Sequence, residues 1–368
     1  MEIIHLILGK ANPNRLNGVN KVVYQLASNQ ARKQREVAVW GITKSLNHNY
    51  GERNFKTILF PEMKNPFIIA KSLKESLLAK RGDVVFHLHG GWIPIYSSLS
   101  KYLFKNNIPF VLTPHGAYNT IAMQRSSFIK KIYFQFFEAS LLKRVSKIHC
   151  IGESEIEGLK EISPNTKTIL LPYGFNTFKP QIQDKKKTEN FIVGFIGRLD
   201  IYTKGLDLLL AAFVKFQEEV PHAKLWIIGD SDESQVLKEL INTKKIVDKV
   251  VLWGAKFGTE KDALLLQMDV FAHPSRNEGL PSAVLEASYM GVPCVVSKAT
   301  NMGTYIQKMN AGKVVENENV AALTNAFFTL YKLHENNELQ FVSKNAIKMV
   351  NTCFNWDTIV NNFDKLYK

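Results

Sequence analysis

The feature that most constrains this chain is an alternation, run through twice, of short apolar segments with stretches of helical period. In the first half the apolar segments are Glu2–Leu8, Asp83–His89, Pro109–Thr113, Ser146–Cys150 and Thr168–Leu171. In the second they are Phe191–Ile196, Lys224–Ile228, Val250–Trp253, Asp269–Ala272, Pro293–Val296 and Lys313–Val315. Segments this short and this apolar suit strands covered on both faces. Between them, Val19, Val22, Val23 and Leu26 share one face of a 3.6-residue period, and so do Leu206, Leu209, Leu210 and Phe213. Strands that alternate with helices pair in parallel, because each crossover returns the chain to the same end of the sheet. Two such halves predict two largely parallel sheets, each in its own domain.

The 368 residues suffice for two domains of ordinary size, and a hydrophobic content of 45% supplies their cores. The polar stretch Lys179–Asn190, with Lys185, Lys186 and Lys187 in a row, reads as the interdomain linker. The domains are then residues 1–176 and 177–353. The tail carries Phe354, Trp356, Ile359, Val360, Phe363 and Leu366 at amphipathic spacing. No apolar run reaches membrane-spanning length. Residues 1–9 lack the basic start and cleavage signal of a secretory leader. Cys150, Cys294 and Cys353 are scattered, so they imply neither a disulfide framework nor a metal cluster. A cytoplasmic location is expected.

The formal charge of +14 sits in one half of the chain. Residues 1–180 hold 25 Lys and Arg against 11 Asp and Glu, while residues 181–368 hold 22 of each. One concentration is Lys71, Lys74, Lys80 and Arg81. Another is Arg125, Lys130, Lys131, Lys143, Arg144 and Lys147, interleaved with Phe128, Ile132, Tyr133, Phe136 and Phe137. Basic groups among aromatics suit an anionic membrane surface, where each contributes about 1 kcal/mol. Nucleic acid is another anion such a face can meet, and a solvated face needs no partner. The membrane is the expected partner, and nucleic acid is not.

Open α/β sheets bind ligands beyond the carboxyl ends of their strands, so the residues there are the candidates. In the first half, the loop Gly9–Asn17 leads to Gly18, which opens a helix. That arrangement suits a phosphate or a sugar, and equally a plain turn. His87, His89 and His115 end two strands. They lack a fourth ligand at a recognised spacing, so no metal is expected. Glu153, Ser154 and Glu155 read as capping chemistry.

In the second half, Arg198 follows one strand and Lys204-Gly205 opens the next helix. A planar fork and a compact charge near a helix N-terminus suit phosphate oxygens. Asp230-Ser231-Asp232 reads as a turn with a capping Asp. Trp253-Gly254 ends another strand. Then comes His273-Pro274-Ser275-Arg276-Asn277-Glu278-Gly279-Leu280-Pro281, leading into a helix that runs to Met290. Pro281 suits its first position and Gly291 its C-terminal cap. Glu278 precedes the helix, and Glu286 lies roughly 7–8 Å farther along it. Carboxylates so placed are suited to hold two parts of an elongated ligand.

Glu278 and Glu286, separated by seven residues, resemble the Glu-x7-Glu motif of the retaining nucleotide-sugar glycosyltransferases, the group 1 or family 4-like class. The similarity spans nearly the whole chain and is most specific from Phe191 to Pro293. Family members carry more glycines than Asn17-Gly18 provides. The resemblance implies two Rossmann-like α/β domains facing across a cleft, the GT-B architecture. The last helix, about 354–368, would cross back to the first domain. The implied reaction moves a sugar from a nucleotide-diphosphate donor, UDP- or GDP-linked, to an acceptor hydroxyl with retention.

In that reading Glu278 and the amides of Gly279 and Leu280 hold the donor sugar, and Glu286 holds the ribose. Arg198 and Lys204 neutralise the diphosphate, and Trp253 and Gly254 face the base. His115 and Gly18 approach from the first domain. His115, Glu278, Arg198 and Lys204 carry the catalytic roles, with no metal or other cofactor. The implied acceptor is a lipid-linked saccharide in bacterial cell-surface polysaccharide synthesis (capsule, O-antigen or exopolysaccharide). That places the protein peripherally at the inner face of the cytoplasmic membrane. Two other readings share the fold: a nucleotide-sugar epimerase, and a non-catalytic basic protein that binds membrane or nucleic acid.

Overall fold

The computed structural model describes residues 1–12, 18–48, 50–119, 123, 127–164, 166–176 and 189–368. Asn17, Arg125 and most of the stretch Lys179–Asn190 lie outside them. The chain forms two compact units. Unit 1 comprises Met1–Gly174 and Trp356–Lys368, and unit 2 comprises Phe175–Asn355.

Among the described residues, unit 1 is built on seven strands: β1 (Glu2–Leu8), β2 (Val37–Thr43), β3 (Lys56–Pro61), β4 (Val84–His89), β5 (Phe110–Thr113), β6 (Ile148–Cys150) and β7 (Thr168–Leu170). They lie in the order β3-β2-β1-β4-β5-β6-β7, every neighbour parallel. The apolar runs of β4 and β5 are buried at every residue, as strands covered on both faces must be. Strands β2 and β3 were not anticipated, although Val37–Ile42 is fully buried and as apolar as the rest. The strand order reverses between β1 and β4. Their register sets His5 opposite His87 and Ile7 opposite His89.

The helix Trp356–Tyr367 belongs to unit 1. It buries Trp356, Ile359, Val360, Phe363, Leu366 and Tyr367 along one face. Arg35 forks onto Asp364 at 2.6 and 3.2 Å and fixes its outer side.

Unit 2 carries β8 (Phe191–Ile196), β9 (Ala223–Ile228), β10 (Val250–Gly254), β11 (Val270–His273), β12 (Cys294–Ser297) and β13 (Gly312–Val315). Their order is β10-β9-β8-β11-β12-β13, again parallel throughout. Counted from its own first strand, this repeats the Rossmann-like order of unit 1, with the reversal between β8 and β11. The helices Leu206–Glu219 and Val320–Glu335 build the core on one face of the sheet, around Phe213, Phe216 and Phe327. The helices Ser282–Tyr289 and Leu339–Cys353 build the other, around Phe271, Leu285 and Met349. Among the described residues, no helix is long and apolar enough to cross a membrane.

Candidate functional site

In unit 2 the loops leaving β8 and β11 touch at the strand-order reversal. Asp200 caps the short helix Ile201–Lys204 by accepting from the Thr203 amide at 2.9 Å. Gly205 ends that helix with φ +69. A Cβ there would sit 2.1 Å from the Pro274 carbonyl oxygen, so glycine is what allows the two loops to meet. The Arg276 amide donates to the Thr203 carbonyl at 2.8 Å. The Arg276 guanidinium forks onto Asp207 at 2.8 Å and lies 4.3 Å from the Tyr202 ring centroid. Arg276 is therefore a brace for the loop, a role its sequence context does not reveal.

These contacts set Lys204 against Glu278. Lys204 Nζ donates to Glu278 Oε1, which also accepts from His273 Nε2 at 2.9 Å. The His273 ring stacks on Phe195 with centroids 5.6 Å apart. Burial alone would raise the Glu278 carboxyl. The His273 hydrogen bond and the Lys204 charge outweigh burial and bring it down to about 2. Asn301 Nδ2 donates to the carbonyls of Glu278 and Gly279 at 2.7 and 3.0 Å, which fixes the loop carrying Gly279 and Leu280.

Glu286 is the fifth residue of the helix Ser282–Tyr289, and Lys261 Nζ lies 2.5 Å from its Oε2. Lys261 was not singled out from sequence. It comes from the helix Gly258–Gln267, and only the fold brings it to Glu286. Pro281 is the N-cap of Ser282–Tyr289 and not its first helical residue, because its ψ of 112 is extended. No side chain caps this helix, so its first amides remain for water or a ligand. Arg198 pairs with Asp200 at 2.9 Å and is 71% exposed. Trp253 packs edge-on against Trp226 with centroids 5.2 Å apart, and Gly254 follows it with φ +68. The structure thus brings Lys204, Glu278 and His273 into contact. Arg198, Trp253 and Gly254 sit at or just after carboxyl ends of the same sheet, and Glu286 lies within the helix that follows β11. Asp230 bonds the Ser231 amide and the Ser234 hydroxyl at 2.9 and 2.6 Å. It is a turn residue, but Glu233 and neither Asp occupies the N-cap of the helix Ser234–Thr243.

In unit 1, Gly18 is the first residue of the helix Gly18–Arg32, and the loop before it lies largely outside the described residues. His115 follows β5 with φ +56, a conformation that bulky residues rarely adopt and that clusters at functional sites. Its ring ends a chain of buried hydrogen bonds. The Leu171 carbonyl lies 2.8 Å from His149 Nε2, so that nitrogen donates. His149 Nδ1 must then accept from Thr113 at 2.8 Å, and Thr113 accepts from His87 Nε2 at 2.5 Å. His87 Nδ1 accepts from the Tyr367 hydroxyl at 3.0 Å, which accepts from Gln30 Nε2 at 3.0 Å. Gln30 Oε1 accepts from His5 Nε2 at 2.6 Å, and His5 Nδ1 accepts from His89 Nε2 at 2.8 Å. His89 Nδ1 accepts from His115 Nε2 at 3.0 Å, and His115 Nδ1 accepts from Tyr173 at 3.3 Å. All five imidazoles are neutral and carry the proton on Nε2.

Sequence reasoning found three of these rings and missed His5 and His149. Ligand atoms of His5, His87 and His89 lie within 4.8 Å of one another. Three imidazoles are a fair set for zinc, yet both nitrogens of each ring are already engaged in this chain. Glu155, read as a cap, is instead buried and accepts from the amides of Gly116 and Ile151 at 2.6 and 3.3 Å. It ties the loop after β5 to the loop after β6.

Burial drives His5 and His149 down to about 4 and His115 to about 3, and lowers His87 and His89 as well. The unfolded chain takes up these protons near pH 6.5 and the folded unit does not, so stability falls as pH drops below 6.5 toward 4. Burial lifts Glu155 to about 7 and raises Glu138, which acts in the opposite direction. Five rings outnumber two carboxyls, so the net effect is a loss of stability as pH falls from 6.5 toward 4. The thermal midpoint of unit 1 should therefore fall steeply from pH 7 to pH 5. A midpoint that is flat over that range contradicts the neutral chain.

Residues 177–349 match the family Glycosyl transferases group 1, and residues 16–178 match Glycosyltransferase Family 4. The chain is 27% identical over 326 residues to the UDP-Gal:alpha-D-GlcNAc-diphosphoundecaprenol alpha-1,3-galactosyltransferase of Escherichia coli, covering 84% of this chain and 79% of that one. It is 25% identical over 318 residues to the N-acetyl-alpha-D-glucosaminyl L-malate synthase of Bacillus anthracis, covering 82% and 79%. Among solved structures, Anabaena HepE in complex with UDP is similar with a TM-score of 0.74 at 15% identity, covering 100% of this chain and 99% of that one. With two Rossmann-like units and family matches that together span residues 16–349, the chain belongs to the group 1, family 4-like glycosyltransferases and has their two-domain GT-B fold.

Proposed function

We propose that this glycosyltransferase moves a sugar from a UDP- or GDP-linked donor to an acceptor hydroxyl, with retention at the anomeric carbon and without a metal. The observation that carries the reading is the contact of Lys204, Glu278 and His273 at the strand-order reversal of unit 2. A departing nucleoside diphosphate needs its charge neutralised as the glycosidic bond breaks. Lys204 and Arg198 supply that charge. Each now rests on a carboxylate, Glu278 or Asp200, and a diphosphate would draw it away. His273 keeps Glu278 ionised and oriented for the hydroxyls of the donor sugar. The amides of Gly279 and Leu280 assist there.

Glu286, steadied by Lys261, takes the ribose, and Trp253 and Gly254 face the base. In unit 1 the same reading gives Gly18 and His115 to the donor. The link from Tyr173 to His115 Nδ1 is the longest in the imidazole chain, so Nδ1 is the atom a sugar hydroxyl would take. The names of the Escherichia coli relative and of the HepE complex favour UDP. The former also supports a lipid-linked saccharide acceptor, as in bacterial cell-surface polysaccharide assembly.

Such an acceptor lies at a membrane, and unit 1 presents a surface that suits one. In the helix Ser127–Tyr133 and the π-turn Phe134–Glu138, the residues Phe128, Ile129, Ile132 and Phe136 form one exposed apolar stripe. Phe128 and Phe136 are 74% and 71% exposed. Lys131 and Lys143 are exposed beside them. This is the composition of an interfacial helix at an anionic surface, peripheral at the inner face of the cytoplasmic membrane.

Arg198→Ala and Lys204→Ala should each cost about 2–4 kcal/mol of transition-state stabilisation in transfer from labelled UDP- or GDP-sugars. A folded variant with wild-type turnover has no such role. In the same assay excess EDTA should leave the rate unchanged. Abolition by EDTA with rescue by manganese would return attention to Asp230 and Asp232. Binding to anionic vesicles should fall steeply with added salt, since exposed charges are screened within about 10 Å at 0.1 M. Phe128→Ser with Phe136→Ser and Lys131→Ala should release the protein. The membrane reading fails if wild type ignores such vesicles at low salt, or if the triple variant binds them equally well.

A further inference from the structure

Among the described residues of unit 1, five polar side-chain atoms are buried with no partner; three are isolated nitrogens of Trp40, Arg53 and Trp356, and the other two are Glu138 Oε2 and the Tyr133 hydroxyl. These last two belong to one cluster. Glu138 is 1% exposed, and its other oxygen accepts from the Trp92 amide at 3.0 Å and from the Tyr118 hydroxyl. The Trp92 ring packs on Tyr118 and Tyr133 with centroids 5.4 and 6.0 Å apart, and Lys130 Nζ lies 5.8 Å from its centre. Trp92, Lys130 and Tyr133 are half-buried, so the cluster reaches the surface while its two unpaired atoms lie just beneath it. It forms where the loops after β4 and β5 end, beyond the carboxyl edge at which parallel sheets bind ligands. Trp92 is held there with φ +61, strained for so large a residue.

A buried carboxylate oxygen and a buried hydroxyl left unpaired both lose their hydration without compensation, so a group that both donates and accepts belongs beside them. A sugar hydroxyl does both: it donates to Oε2 and accepts from the phenol. An indole face beside that point suits the apolar face of a pyranose. We propose that Trp92, Tyr133 and Glu138 form a saccharide subsite for the acceptor, with Glu138 Oε2 and the Tyr133 hydroxyl sharing one sugar hydroxyl. This rests on the acceptor-transfer reading above. It adds the residues that recognise the acceptor and the chemical class they take, a pyranoside.

The test needs no turnover. Saturation-transfer NMR of the full-length protein with methyl glucoside, methyl galactoside and methyl N-acetylglucosaminide should show transfer to at least one of them. Tyr133→Phe removes one oxygen and should weaken that binding roughly three- to tenfold, and Glu138→Gln by roughly tenfold or more. Thermal midpoints measured alongside show whether each variant is folded; loss of binding at an unchanged midpoint is the expected result for Tyr133→Phe. If no methyl glycoside binds wild type, or if both variants bind as wild type does, the pair holds only an internal water and the subsite is wrong. UDP binding measured in the same wild-type sample separates the two readings. UDP without glycoside sinks the subsite alone; if no glycoside, no UDP and, in a parallel sample, no GDP binds, the donor reading falls as well.

Discussion

One backbone carbonyl, that of Leu171, sets the direction of every hydrogen bond along the imidazole chain of unit 1. A neutral imidazole offers one donor and one acceptor at opposite ends, so a row of them transmits direction as a row of dominoes does. Reversing one ring would face donor against donor in a dry interior, which is costly. The chain crosses four strands, β1, β4, β5 and β6, and reaches the helices that carry Gln30 and Tyr367. It therefore holds the sheet register, the terminal helix and the orientation of His115 at once. No aliphatic packing of those positions would do the last of these.

Unit 2 uses the same strand order for the opposite electrostatics. Its reversal point carries full charges, held close by a glycine contact and by the Arg276 brace. Glu278 remains ionised while mostly buried, because a cation and an imidazole both donate to one of its oxygens. Unit 1 places neutral imidazoles at its reversal instead. The strand order does not choose between these two designs; the side chains placed at the reversal do.

Much of this was legible in the chain. Parallel sheets followed from the alternation of apolar runs and helical faces, and β1 and β8 were found to the residue. The contact of Lys204 with Glu278 spans 74 positions, yet both residues were anticipated from the loops that carry them. What escaped notice depends on register. His5 lies inside an apolar run, and only its pairing opposite His87 gives it a partner. Lys261 meets Glu286 from a different helix, and the turn chemistry around Glu155 hides that its carboxylate reaches back to the loop after β5. Glu138 lies on a π-turn, where one extra residue rotates the side chain away from the face a 3.6-residue period assigns.

Unit 1 is closed by the helix Trp356–Tyr367, whose Tyr367 supplies the link between Gln30 and His87. That helix is made after the whole of unit 2. On the ribosome, the sheet of unit 1 emerges first and then waits while the about 180 residues of Phe175–Asn355 are translated, roughly 10–40 s at ordinary elongation rates. Through that interval the groove for the last helix is open, with Phe363's neighbours uncovered and His87 short of one donor. Unit 2, continuous in sequence, has everything it needs to fold in the meantime. The chain is thus assembled in an order its numbering does not suggest, with the second unit completed before the first.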